Sequence, residues 1–539
     1  MKGLMMDSSL SISGILTHAE TIHPKSKIVS RNVTGDIHQY TYGEAANRSR
    51  QLANALVRFG VEQGDRVATL AWNTHRHYEL YFAVSGSGAI LHTVNPRLFP
   101  RQLIYIINHA EDEVLFVDLT FVPIIEEIYG SLKTLKHIVV LTDEANMPES
   151  SNLKLLCYET LIADESTTFE WPAVDENSAA SLCYTSGTTG NPKGALYSHR
   201  STVLHAWACC GSDAFGIANR TTVMPVVPMF HVNAWGVPYA ATMSGAALVL
   251  PGAGMDGESL YEIISSAGVD LMLGVPTVWL GLLNYCADQS LKLTSVKTVV
   301  VGGAAAPLSM IEAFHTEHDA FVMHAWGMTE ISPVGSVNSM NQYTASLSLE
   351  QRFQVQTKQG RPIFGIEMEI VDANGQPLPH DGKASGRLLV RGPWVAKSYY
   401  KDEDTSAWSN GWFDTGDVAT LDPMGYMNIV DRAKDMIKSG GEWISSIDLE
   451  NAATGHEAVM ECAVIGVPHP KWDERPLLLV VLKEGKKTTK ESVLAFLADK
   501  VAKWWLPDDV IFVDTLPHTA TGKLLKMKLR EQYSDRLTD

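Results

Sequence analysis

Cysteine is scarce and unpatterned. The six residues Cys157, Cys183, Cys209, Cys210, Cys286 and Cys462 form no C-x-x-C pair and have no histidines at zinc-finger spacing. That excludes a zinc ribbon or a disulfide framework and reads as reduced core thiols of a cytoplasmic protein. Basic charge is also in deficit, with 43 Lys and Arg against 61 Asp and Glu and a formal charge of −18. A nucleic acid or an anionic membrane needs a basic face, so neither is expected as the main partner; a local pocket for a phosphorylated ligand remains open. No uncharged apolar run reaches membrane-spanning length, so no integral membrane association is expected. The opening MKGLMMDSSLSIS has one lysine and is broken by Asp7 before an apolar segment forms, so no signal peptide is visible. No repeat of fixed period is present.

What remains is 539 residues, 45% apolar and 19% charged, the composition of a well-packed soluble enzyme too long for one ordinary core. From residue 41 the chain alternates. TYGE at 41–44 is a capping-box signature, followed by Leu52, Leu56 and Phe59 at helical spacing and then VATL at 67–70. Further strand-like runs are EVLFVD near 115, HIVVLTD near 140, ALVLP near 249 and VKTVVVGG near 300. Strands separated by helical segments predict α/β architecture with mainly parallel βαβ sheets. Beyond about residue 430 the pattern shortens: strands ECAVIGVP and RPLLLVVLKEG, a helix through ESVLAFLADKVAKWW, a strand DDVIFVD and a last Lys-rich helix. These predict a small α+β unit of roughly a hundred residues. The boundaries expected are 1–431 for the large domain, 432–435 for a hinge and 436–539 for the small domain.

One stretch concentrates chemistry. YTSGTTGNPKG at 184–194 holds four aliphatic hydroxyls, three glycines and Lys193, directly after the strand-capable AASLCYT and before GALYSHRSTVLHAW. Glycines let backbone N–H groups converge on oxyanions, and short hydroxyls add donors without bulk, so a strand followed by this loop suits phosphate. It is not a Walker A loop: Gly187 and Gly190 are too close, and Lys193 follows Pro192. Alone it reads equally as a polar linker. It is accompanied by HAWGMTE at 324–330, GWFDTGD at 411–417, DRAKDMIKSGGE at 431–442 and PHTATGK at 517–523.

With these five segments in this order, the sequence resembles the acyl-adenylate-forming superfamily of acyl-CoA synthetases, luciferases and peptide-synthetase adenylation domains. PMFHVNAWG at 228–236 resembles its fatty acyl-CoA ligase branch, nearest to the 3-methylmercaptopropionyl-CoA ligases. The resemblance spans essentially the whole chain. It implies a large domain of parallel sheets plus a distorted barrel subdomain, a small mobile C-terminal domain, and a homodimer. It implies ATP, Mg2+, coenzyme A and a small carboxylic acid as ligands. Acyl-AMP and pyrophosphate form first; the CoA thiol then displaces AMP.

Carried over residue by residue, the resemblance gives Thr185, Ser186, Gly187, Thr188 and Thr189 to the β- and γ-phosphates, with Lys193 an orienting or structural charge. Glu330, with Thr185, holds Mg2+, and Thr329 touches the α-phosphate. Gly303, Ala304 and Ala305 line the adenine, Trp326 stacks on it, and His324 and Ala325 belong to the same strand. Asp417 and Arg432 face the ribose. Lys523 bridges the attacking carboxylate and the α-phosphate, and Lys434 is the hinge. Lys438, Ser439, Gly440, Gly441, Glu442 and Trp443 line the pantetheine tunnel, with Glu474 nearby. His231, Trp235 and Gly302 wall the acid pocket: Gly302 leaves room near the carboxyl end, and Trp235 is either a floor or a gate. Their bulk favours a short, unbranched apolar acid of about four to six heavy atoms. Three positions depart from the family pattern. Trp326 stands where tyrosine is commoner, Asp473–Glu474 replaces Gly–Glu, and Asp431 stands where glycine often precedes the hinge arginine. Competing readings are an ATP-dependent phosphotransferase, separated by its ADP product, and a non-catalytic acid-binding protein.

Overall fold

The computed structural model describes residues 1, 3–185, 191–439, 442–518 and 524–537. Ser186, Gly187, Thr188, Thr189, Gly440, Gly441 and Lys523 lie outside the described residues, as does the side chain of Glu442.

Local signals build the elements as expected. Thr41 accepts from the Glu44 amide while the Glu44 carboxylate accepts from the Thr41 amide at 2.8 Å. The helix Tyr42–Arg58 that follows buries Leu52 and Leu56. The apolar runs form two sheets. One has seven strands in the order Leu155–Cys157, His137–Val140, Val114–Val117, Arg66–Leu70, Ile90–Thr93, Ala179–Tyr184 and Gly194–Ser198, parallel except for the last pair. The other has nine strands, with Ala247–Leu250, Thr222–Pro225, Leu271–Gly274, Thr298–Val301 and Phe321–Gly327 as its parallel centre. Continuous apolar strands of this kind are stable only when both faces are covered, here by helices. Trp279 and Phe314, both fully buried, lie in two of them.

The subdomain expected as a distorted barrel is a five-stranded antiparallel sheet, from Glu367–Val371 to Met427–Arg432. A turn at 433–436 separates it from Ile437–Ser439, the first strand of the small α+β unit. There Asp509–Phe512 pairs in parallel with Asp473–Leu482. One expectation needs correcting. The helix read through Trp505 stops at Ala498, because the Leu497 carbonyl takes the amides of both Lys500 and Val501, and a separate turn Lys503–Trp505 follows. All six cysteines carry free thiols, and five are buried.

Candidate active site

Thr185, Gly302, Gly303 and Trp326 lie where parallel strands end, the place where open α/β sheets bind ligands. Thr185 follows the strand Ala179–Tyr184 directly, and its hydroxyl accepts from the Lys193 amide at 3.1 Å while its own amide bonds the Lys193 carbonyl. The loop between them is thus closed at its base. Lys193 turns outward: Nζ pairs with Asp402 at 3.1 Å and Asp404 at 3.6 Å and lies 4.9 Å from the Tyr399 ring centre. Hydrogen bonding to Asp402 raises its pKa, so it is a fixed cation tying the loop to residues 399–404.

Tyr399 also reaches Glu330. Its hydroxyl donates to Glu330 Oε1 at 2.6 Å, and Glu330 is 6% exposed. Tyr197 donates to the Thr329 carbonyl at 2.5 Å, fixing the same short turn Thr329–Ile331. Among the described residues no cluster of three or more His, Cys, Asp or Glu is placed to hold a metal. One carboxylate and one hydroxyl are a hard-oxygen set suited to a Mg2+ ion whose other ligands are phosphate and water, so Glu330 and Thr185 fit that ion.

A second group of candidate residues sits on strand ends. Gly302 and Gly303 follow Thr298–Val301; Gly303 has φ +80, which a side chain would strain, and Gly303 and Ala304 are exposed with Ala305 half-buried. His324 pairs in register with Val301, and its Nδ1 lies 2.9 Å from the Thr357 carbonyl. Burial pushes the His324 ring down to about 4, so it is neutral. Ala325 pairs with Val337. The Trp326 indole donates to Asp417 Oδ2 at 3.0 Å, and Arg432 Nε meets Asp417 Oδ1 at 2.8 Å. Asp417 and Arg432 are cross-strand partners in the antiparallel sheet, which explains how residues fifteen apart converge.

Trp235 is pressed over Gly302, where a Cβ would lie 2.7 Å from the indole. The room expected above Gly302 is therefore filled by Trp235. Val232, Asn233, Ala234 and Trp235 all have φ between 46 and 56, a left-handed turn ending at Gly236. Asn233 pins it, donating to Ser181 Oγ at 2.9 Å and accepting from Cys183 Sγ at 3.4 Å. His231 opens the turn, its carbonyl accepting from Ala234.

On the small unit, Lys434 and Lys438 are exposed, and Trp443 is 53% exposed on the hairpin that pairs Ser439 with Glu442. Ser439 is buried and accepts from Arg475. Glu474 accepts from the Lys438 amide at 2.9 Å, so it braces this hairpin. Sequence reasoning missed Tyr399, Tyr197 and Asn233; they act through hydroxyl and amide contacts between remote segments and carry no local signature.

The AMP-binding enzyme family matches residues 17–400, and its C-terminal domain matches residues 448–523. The chain belongs to the AMP-binding enzymes. Among members of known activity it is 51% identical to a 3-methylmercaptopropionyl-CoA ligase of Ruegeria lacuscaerulensis, covering 100% of both chains. It is 49% identical to a medium-chain-fatty-acid–CoA ligase of Ectopseudomonas oleovorans, covering 100% of this chain and 98% of that one. Among solved structures of AMP-binding enzymes, an anthranilate CoA ligase in complex with anthranoyl-AMP superposes with a TM-score of 0.88 at 27% identity, covering 100% of both. No helix among the described residues is long and apolar enough to cross a membrane.

Proposed function

We propose that this AMP-binding enzyme is an acid–CoA ligase acting on 3-methylmercaptopropionate through an acyl-AMP intermediate. The observation that carries the reading is the end-to-end 51% likeness to a ligase of that name. In the first half-reaction a carboxylate oxygen attacks the α-phosphorus of ATP, the bond to the β-phosphate oxygen breaks, and pyrophosphate leaves. In the second, the CoA sulfur attacks the acyl carbon and AMP departs with its oxygen.

The first step brings anion to anion, so fixed cations and oriented donors supply most of the acceleration. Thr185 and the loop after it hold the β- and γ-phosphates, and Lys193 anchors that loop from outside. Glu330 with Thr185 would hold Mg2+, which would neutralise charge on the phosphates; the Tyr399 hydroxyl orients the Glu330 carboxylate. Adenine lies along Gly303, Ala304 and Ala305 beside Trp326, and Asp417 with Arg432 meets the ribose. Lys523 delivers positive charge between carboxylate and α-phosphate. Rotation about Lys434 then withdraws it and brings Lys438–Trp443 to the site, where the exposed Trp443 face guides the pantetheine arm. The small domain therefore alternates between two orientations, and the active species is a homodimer.

Trp235 over Gly302 shortens the acid pocket and supports a small thioether acid. The 49% likeness to a medium-chain ligase favours a second reading, in which Trp235 swings aside for longer chains. A pyrophosphate-release panel over propionate, butyrate, hexanoate, octanoate and 3-methylthiopropionate, with ATP, Mg2+ and CoA, separates them. The highest kcat/KM is expected for 3-methylthiopropionate; a maximum at octanoate selects the second reading. ADP in place of AMP ends both.

A further inference from the structure

Asp431 immediately precedes Arg432 at the end of the last antiparallel strand and is 1% exposed. Its Oδ2 accepts from the Ser446 amide at 2.7 Å and the Ser446 hydroxyl at 2.6 Å, and its Oδ1 accepts from the Arg432 amide. Ser446 opens the helix Ser446–Thr454 of the small domain, so the carboxylate sits at the positive end of a helix that lies beyond the turn. Beside it, the Ser445 hydroxyl donates to the Val430 carbonyl at 2.6 Å. Lys526, three positions after Lys523 in the chain, closes the cluster: its ammonium donates to Ser446 Oγ at 2.5 Å and pairs with Glu450 at 2.7 Å. Burial raises the Asp431 and Glu450 carboxyls. It pulls Lys526 down, but Glu450 and Asp431 outweigh it and hold the ammonium above its usual range.

These groups divide unequally across the turn at 433–436. Asp431 and Val430 belong to the large domain; Ser445, Ser446, Glu450 and Lys526 belong to the small one. A rotation about Lys434 carries the last four as one body, so the Lys526–Glu450 pair travels intact. Every bond from Ser445 or Ser446 to Val430 or Asp431 crosses the axis, and a large swing breaks it. The same orientation sets Lys528 5.3 Å from the ring centre of Phe99, on the large domain. The segment that follows Lys523 is thereby held against the large domain.

We infer that Asp431 is a positioning residue: a latch that, through Ser446, holds the small domain in the acyl-AMP-forming orientation and lets go for thioester formation. The inference rests on the two-step reading above. It acts by population: a contact made in one orientation alone shifts the balance by its own free energy, and a contact made in both shifts nothing.

The test measures the half-reactions separately, as pyrophosphate release from ATP and acid, and as thioester formation from supplied acyl-AMP and CoA. Asp431→Asn is expected to slow the first about tenfold, the factor given by about 1.4 kcal/mol of lost preference. The second should be unchanged or faster, and trypsin cleavage at 432–434 should speed up. Ser446→Ala should move the ratio in the same direction by less and serves if Asp431→Asn does not fold. Glu450→Gln, within one domain, should lower both half-reactions together. An equal loss in both half-reactions for Asp431→Asn and Ser446→Ala, or no change in either, overturns the latch. Wild-type protein that releases no pyrophosphate with any acid instead overturns the underlying reading.

Discussion

Asp417 shows how one residue's chemistry depends on its neighbours. Nearly fully buried, it has one oxygen held by the Trp326 indole and the other by Arg432. Tryptophan at 326 thus supplies an indole donor that fixes the Asp417 carboxylate. Trp326→Phe keeps an aromatic face and removes that donor. Losing a hydrogen bond to a charged group costs about 1.5–3 kcal/mol, so KM for ATP should rise about tenfold or more, with KM for CoA unaltered. Steady-state kinetics in each substrate check it; a rise confined to CoA would exclude this role. Lys523→Ala should suppress acyl-AMP formation and largely spare conversion of supplied acyl-AMP; equal loss in both steps counts against its assignment.

At the scale of elements, the turn at 232–236 is the most constrained feature. Left-handed backbone costs about 1–2 kcal/mol for an ordinary L-residue, and four consecutive non-glycine residues adopt it here. Asn233 is the residue best suited to that conformation, and its side chain joins the turn to the strand Ala179–Tyr184, which leads into Thr185. The turn at 232–236 and the strand that ends before Thr185 therefore share one strut. Asn233→Ala should destabilise by about 2 kcal/mol, and Asn233→Gly by about 1 kcal/mol less than that, because glycine tolerates the backbone while losing the same bonds. Urea denaturation of the two variants reads the difference. Equal losses would mean that the backbone conformation carries no cost.

Across the whole molecule, buried titratable groups set acid stability. Burial holds His77, His199 and His324 at about 4 and His205 at about 3, so they fold neutral and take up protons when the chain unfolds below 6.5. Asp118, raised to about 7, and Asp448, raised to about 6, work the other way, since they hold protons in the folded state. Burial also raises Asp112, Asp270, Asp431 and Glu450, and it also lowers His23, His38, His75, His109 and His318, so among the described residues nine lowered histidines stand against six raised carboxyls. Stability should therefore be highest above pH 6.5 and fall as pH drops toward 4. Thermal melts from pH 7.5 to 4.5 test the sign; a Tm that climbs on acidification contradicts it.

The sequence by itself determined the strands, most helices and the chemical inventory, because periodicity, capping boxes and turn residues act over a few positions and need no distant partner. It determined the family as well, through five short segments whose residue types and order carry the likeness. The tertiary structure alone decided which atoms pair: Tyr399 with Glu330, Trp326 with Asp417, Trp235 over Gly302, and Asp431 with Ser446. The helix read through Trp505 was misread on a local scale: the Leu497 carbonyl is shared by the amides of Lys500 and Val501, three and four residues on, where the helix closes. Hydrogen bonds between segments tens to hundreds of residues apart depend on the angle and depth at which sheets and domains meet. Those quantities arise from packing the whole chain and leave no trace in local pattern.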